Sequence, residues 1–238
     1  MGRWNSWKNL TQFTGDSYLQ SMMGHGLNAK SQSELVDKLV SRGFLQLPEP
    51  KWIDVLKTVD RARFITGDIQ DVYSNRPIQL SGGHAMSTPQ FHAQILSLLS
   101  PRLGPGRTAA EIGCGTGYLP ACMASLRCTS VYAIETDPKL HADARNNLSS
   151  YFSVLVSTDL PQNIQFDAIY ISPFLKSFAG LERLISSWQF TDDAVVVAPV
   201  QDQPDGLDQQ LVLLERGSNK SWTRTDLFRV MCEPLSTS

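Results

Sequence analysis

Seven consecutive residues, Glu111-Ile112-Gly113-Cys114-Gly115-Thr116-Gly117, carry the strongest chemical signal in the sequence. Glycines at alternate positions let a backbone turn tightly after a strand and let a ligand approach closer than any Cβ permits. A second acid, Glu135, stands 24 residues beyond Glu111 at the end of the next apolar run. At the tips of the first two strands of a parallel sheet, that spacing lets a carboxylate accept both hydroxyls of a ribose. Two ligand classes compete for such a loop. A dinucleotide wants G-x-G-x-x-G, yet the third glycine falls on Tyr118, where close packing and a pyrophosphate need a small residue. S-adenosylmethionine carries no phosphate, and G-x-G-x-G with a flanking acid suits it. The glycines alone also fit an ordinary strand-to-helix turn; Glu111 and Glu135 tip the balance toward S-adenosylmethionine.

Ser87-Thr88-Pro89 is the second candidate. Thr88 suits a helix N-cap and Pro89 the first helical position. A helix is therefore predicted from Pro89 to about Ser100, with Phe91, Ile95, Leu98 and Leu99 turned inward. Ser87 then stands at the mouth of that helix, whose N–H groups at Gln90 and Phe91 would make an anion-binding end. His84 and His92 bracket the serine. Hydrolysis by a Ser–His pair needs an acidic orienter, and none is apparent. His84 reads as a partner of loop backbone and His92 as a half-buried helix histidine. Arg61 and Arg63 read as a solvated surface pair. Cys114, Cys122, Cys128 and Cys232 include no CxxC pair and no cluster at zinc spacing. No metal is expected, and the thiols point to a reducing, cytoplasmic setting, with organellar import left open.

The elements that must position these residues follow from periodicity. Ser31 and Glu34 form an S-x-x-E capping box ahead of Leu35, Leu39 and Val40. Pro48 and Pro50 precede a second amphipathic stretch, Trp52 to Val59, and residues 60–83 read as irregular. From Thr108 the pattern alternates. Strands are predicted at Ala109–Ile112, Val131–Ile134, Val154–Val156, Ala168–Ile171 and Ala194–Ala198, with helices at Tyr118–Leu126, Pro138–Leu148 and Leu181–Trp188. This is the pattern of a parallel sheet covered on both faces. Gln210–Glu215 and Asp226–Met231, joined around Gly217-Ser218-Asn219, read as an antiparallel edge pair. The fold class is thus α/β, a mostly parallel seven-stranded sheet with an antiparallel C-terminal pair and an N-terminal helical annex. Residues 31–238 read as one domain and 1–30 as an extension, where Arg3 and Lys8 make a weak case for a transit segment. With 21 basic and 23 acidic residues, no global basic field favours nucleic acid or anionic lipid. No apolar run reaches the roughly 18 residues of a membrane span.

The glycine loop with its two acids resembles the Rossmann-like methyltransferases over residues 80–200. A narrower resemblance is to the protein-L-isoaspartate O-methyltransferase family, over about residues 31–235. Asp60-Arg61-Ala62-Arg63-Phe64 is similar to its D-R-x-x-F/Y segment, and Leu80 to Ala93 to its I-G-x-x-Q-T-I-S-x-P-x-x-x-A segment. Phe166-Asp167-Ala168-Ile169 resembles its Y/F-D-A-I strand, and Ala198-Pro199-Val200 with Gln210-Leu211 its L-P-V-G…Q-x-L ending. The resemblance implies transfer of methyl from S-adenosylmethionine to the free carboxylate of isoaspartyl residues in damaged proteins, leaving S-adenosylhomocysteine. It implies that Glu135 holds the ribose, that the loop of Gly113, Gly115 and Gly117 lies under the methionine part, and that adenine rests near Thr136 and the Asp159 loop, with Glu111 also among the cofactor-binding residues. It makes Ser87 the catalytic candidate, with His84 and Thr88 beside the substrate. A monomer acting on isoaspartyl peptides, without nucleic acid or membrane, is expected.

Three departures bear on the acceptor. His84-Ala85-Met86-Ser87 replaces Q-T-I-S, Ser157-Thr158-Asp159 replaces G-D-G, and Ile171-Ser172-Pro173-Phe174 replaces V-G-A-A. Two alternatives therefore stay open beside the leading reading. One is a methyltransferase with another acceptor; the other is a catalytically weak member that binds S-adenosylmethionine or isoaspartyl peptides.

Overall fold

A computed structural model describes residues 27–43, 50–65, 71–201 and 209–232. Arg3, Lys8, Pro48 and the bulk of the 1–30 extension lie outside the described residues. The chain is already packed at Leu27, which is buried and whose carbonyl accepts from Asn75 N–H at 3.1 Å.

Two annex helices come first, α1 (Gln32–Ser41) and α2 (Pro50–Thr58). Ser31 caps α1 by accepting from Glu34 N–H, while the Glu34 carboxylate reaches Lys30 N–H at 2.8 Å, one residue short of a reciprocal box. The stretch from residue 60 is more ordered than its composition indicates. It holds a 3₁₀ turn at Arg61–Phe64 and a small antiparallel pair, β1 (Ile78–Gln79) and β2 (Ala85–Met86). Thr88 then caps α3 (Pro89–Leu99), as its sequence predicts.

The main body alternates β3 (Thr108–Ile112), α4 (Tyr118–Ser125), β4 (Ser130–Ile134), α5 (Pro138–Asn147), β5 (Val154–Ser157), β6 (Gln165–Ile171), α6 (Phe178–Ser186) and β7 (Gln189–Val200). The sheet closes with β8 (Gln209–Arg216) and β9 (Trp222–Val230). Its order is β5-β4-β3-β6-β7-β8-β9, parallel as far as β7 and antiparallel beyond. The predicted architecture stands. Four boundaries differ because strand pairing overrides local pattern. Gln165 pairs with Gln189 and Phe166 with Phe190, so β6 and β7 start earlier than predicted, and α6 ends at Ser186 instead of Trp188. Arg216 pairs with Trp222, which starts β9 four residues before Asp226.

Two apolar layers sandwich the sheet. α1 to α4 cover one face through residues such as Leu35, Trp52, Ile95 and Met123; α6 covers the other through Leu181 and Ile185. The strand order reverses between β3 and β6, and ligands of such sheets bind at the carboxyl ends of the strands at that point.

Two glycines of the 113–117 loop serve packing. A Cβ at Gly113 would lie 2.7 Å from Pro173, and one at Gly117 would lie 2.6 Å from Leu148 Cδ1, on backbones with φ +74° and +95°. Gly43 also has positive φ (+73°), but no described residue stands within 4 Å of its absent Cβ. Gly43→Ala should therefore cost about 1 kcal/mol of backbone strain, whereas Gly117→Ala adds overpacking of roughly 1–3 kcal/mol. Thermal melts of the two variants check this; equal losses would exclude the Leu148 contact as the reason for glycine.

Candidate active site

At the carboxyl ends of β3 and β6 a cleft of about 340 Å³, counted out to its open mouth, is lined by Leu80, Ala85, Ser87, His92, Glu111, Gly115 and Ser172 among others. Its floor is pinned across two strand tips. Gly113 and Cys114 N–H both donate to Ile134 C=O, at 2.8 and 3.0 Å. The Glu135 carboxylate, buried, accepts from Gly115, Thr136 and Asp137 N–H at 2.8, 2.8 and 2.9 Å. A carboxylate has about four acceptor sites. Glu135 as it stands can therefore take one ribose hydroxyl, and the expected pair only by releasing an amide. Only Gly115 of the three loop glycines leaves its pro-Cβ side open, with Leu80 Cδ1 at 3.9 Å the sole neighbour.

Glu111 lies deeper in the same cleft. It is buried, and its Oε2 has no hydrogen-bond partner. Burial first, and then the Glu135 charge, hold its carboxyl well above the usual range, which favours its protonated form. The same two acids and burial push the Cys114 thiol up, which makes it unreactive packing. Glu111 presents a partnerless acid oxygen to the cleft, which offers a pyrophosphate no donor and suits a ligand that carries ammonium and sulfonium charge. The residues present thus fit S-adenosylmethionine and disfavour a dinucleotide. Tyr118, where a dinucleotide loop needs glycine, is buried in the cleft lining, its hydroxyl accepting from Gln32 Nε2 at 3.2 Å.

The other predicted site residues divide. Ser87 lines the cleft half-buried, with no hydrogen bond to its hydroxyl among the described residues. Thr88 is buried, and its Oγ1 is used by Phe91 N–H at 3.1 Å, so it acts as the cap. Gln90 N–H donates to Asn75 Oδ1 at 3.2 Å. The N–H groups expected to greet an anion at Gln90 and Phe91 are therefore already spent, a correction that follows from Asn75 reaching in from the segment read as irregular. His84 does not line the cleft; its ring stands 3.9 Å from Asp137 Oδ2, while its carbonyl accepts from Leu80 N–H and Gln79 Nε2. Thr136 and Asp159 are exposed and outside the lining, the Asp159 carboxylate accepting from the Thr158 hydroxyl at 2.9 Å.

Two residues depart from their sequence readings. His92 is buried in the cleft wall, its Nδ1 unpartnered, and burial with the nearby Arg61 charge pushes its pKa down to about 3. It is a neutral imidazole at physiological pH. Arg61 is not a surface cation: it is 1% exposed behind the Ser87 loop. Its D-R-x-x-F setting singled it out, but nothing local to that segment marks it as buried. Asp167, of the quoted F-D-A-I strand, lies away from the cleft, accepting from Thr108 N–H and Arg107 Nη1 to join β3 and β6.

Comparison with known proteins agrees with this cleft. The family model for protein-L-isoaspartate(D-aspartate) O-methyltransferase (PCMT) matches residues 30–238. The protein-L-isoaspartate O-methyltransferase of Methanococcoides burtonii is 30% identical over 193 residues, 77% of this chain and 90% of its own. That of Paracoccus denitrificans is 29% identical over 195 residues, 79% and 86% of the two chains. Among solved structures, a Plasmodium falciparum protein assigned to the same enzyme and crystallised with S-adenosyl-L-homocysteine superposes with TM-score 0.73 at 21% identity, over 87% of this chain and 99% of that one. The last likeness supports the fold, and the family match over most of the sequence supports more: this chain belongs to the protein-L-isoaspartate (D-aspartate) O-methyltransferase family, whose members are carboxyl methyltransferases dependent on S-adenosylmethionine.

Proposed function

We propose that this chain methylates the free carboxylate of isoaspartyl residues in proteins, with Ser87 holding the acceptor and Glu111 and Glu135 holding the donor. The single observation that carries the assignment is a serine hydroxyl, without a hydrogen bond among the described residues, that shares one cleft with the partnerless carboxyl of Glu111. The donor supplies its methyl from a sulfonium, so an acceptor carboxylate, ionised at neutral pH, needs no general base. The neutral His92 fits that economy, because no proton has to be taken. Ser87 donates to one acceptor oxygen and leaves the other free. Leu80, Met86 and Leu119 line the same cleft and keep water from the reacting pair. What the residues contribute is chiefly alignment.

Incubation with labelled S-adenosylmethionine and an isoaspartyl peptide, beside its aspartyl twin, should release base-labile methanol from the isoaspartyl form alone. Label on another acceptor, or none despite binding, would replace this reading. Ser87→Ala should lower turnover roughly 10- to 100-fold, the worth of a hydrogen bond to a charged group. Its affinity for S-adenosylhomocysteine should hold; equal loss of both would remove Ser87 from the acceptor.

A further inference from the structure

Arg61 presents an arrangement the reaction has not yet used. Its guanidinium is buried between the 3₁₀ turn and the Ser87 loop, donating from Nη1 to Ser74 C=O at 3.2 Å and from Nη2 to Ser87 C=O at 3.3 Å. Its Nε has no partner. No carboxylate contacts it among the described residues. Asp60, the acid whose charge reaches it, has its own oxygens taken by Ala62 N–H and the Tyr73 hydroxyl, both at 2.9 Å. Burying a charge without a paired counter-charge is costly, so a plain packing role accounts poorly for it.

Two consequences follow for the cleft. The bond to Nη2 turns the Ser87 carbonyl inward, so the peptide shows an approaching anion the serine hydroxyl and not a carbonyl oxygen. The charge itself lies one peptide behind Ser87 in a region of low dielectric, where attraction is far stronger than in water. The neighbouring ring that could dilute it, His92, carries no charge at physiological pH.

We propose that Arg61 is the positioning residue that makes the acceptor end of the cleft selective for an anion, by orienting the Ser87 peptide and by setting an unpaired positive charge behind it. This rests on the acceptor reading given above for Ser87. The discriminating probe is an isoaspartyl peptide against its isoasparaginyl twin, identical in shape but uncharged, each bound to protein saturated with S-adenosylhomocysteine. Wild type should prefer the acid by roughly tenfold or more, and the preference should survive about 0.5 M salt because a buried charge is little screened. Arg61→Met should bring the two peptides within about threefold of each other while S-adenosylhomocysteine affinity stays within about threefold. Arg61→Lys, which keeps the charge, should retain most of the preference.

A folded Arg61→Met protein that still prefers the acid overturns the proposal, as does parallel loss of peptide preference and S-adenosylhomocysteine affinity. If Arg61→Met does not fold, Arg61→Lys decides: a preference kept supports the proposal and a preference lost overturns it. Collapse of the wild-type preference in salt would assign it to an exposed cation and overturn the proposal too. Wild type that methylates isoaspartyl peptide without any preference in binding defeats this inference alone. Wild type that neither methylates the peptide nor binds S-adenosylhomocysteine defeats the acceptor reading beneath it.

Discussion

Glu135→Ala is expected to weaken S-adenosylhomocysteine binding by roughly a hundredfold or more, the usual consequence of truncating one member of a buried, hydrogen-bonded charge group. The size comes from two losses at once. The carboxylate bonds Gly115 N–H from the β3 tip and Thr136 and Asp137 N–H from its own loop, so it ties the two strand tips that form the floor. Alanine leaves three inward N–H groups unpaired and deletes the oxygens proposed to accept a ribose hydroxyl. Glu135→Gln retains one acceptor oxygen but turns an NH₂ toward N–H donors, and should fall between wild type and alanine. Stability should drop as well, by about 1–3 kcal/mol. For a chain of this size each kcal/mol lowers Tm by about 2–4 °C, so calorimetric titration must be made well below the melt. A folded Glu135→Ala protein with wild-type affinity would take Glu135 out of the cofactor site.

That pairing also marks what the sequence discloses and what it withholds. Features set by neighbours in the chain were legible. Ser31 and Thr88 cap their helices as read, and Asp137 caps α5 in the same way, because an N-cap bonds N–H groups two or three residues away. The strand-loop-helix alternation gave the layers for the same reason. Features set by distant partners were not. The start of β7 is decided by Gln165, 24 residues before Gln189. The three loop glycines look equivalent in sequence, yet Pro173 fixes the need at Gly113 and Leu148 the need at Gly117, leaving Gly115 open to the cleft. The mouth of α3 seemed open to anions until Asn75 reached it from another segment. Arg61 is the sharpest case. Beside Arg63 it has the composition of a surface pair, and only the closure of the 3₁₀ turn on the Ser87 loop buries it.

Glu111→Gln should have opposite effects on the empty and the loaded protein. In the free protein burial and the Glu135 charge hold the Glu111 carboxyl well above the range it has in an unfolded chain, near 4.3. The native state then keeps a proton that the unfolded state gives up. Stability contributed by this group is complete below about pH 4.3 and declines as pH rises toward the folded value, by about 1.4 kcal/mol per pH unit. Glutamine, neutral at every pH, removes that slope. The variant should therefore match wild type near pH 4 and exceed it near pH 7 in denaturant melts. Binding should move the other way. A sulfonium and an ammonium entering beside the partnerless Oε2 favour its carboxylate, so S-adenosylmethionine should bind wild type with release of a proton at pH 7, seen as a buffer-dependent binding enthalpy. Glu111→Gln should show no such release and should bind roughly tenfold or more weakly, for want of the anion. Proton release that persists in the variant would place the titrating group elsewhere, and equal affinities would mean the cationic end of the ligand does not lie over Glu111. The greater stability at neutral pH is independent of either result, because it depends only on an acid enclosed beside a second acid.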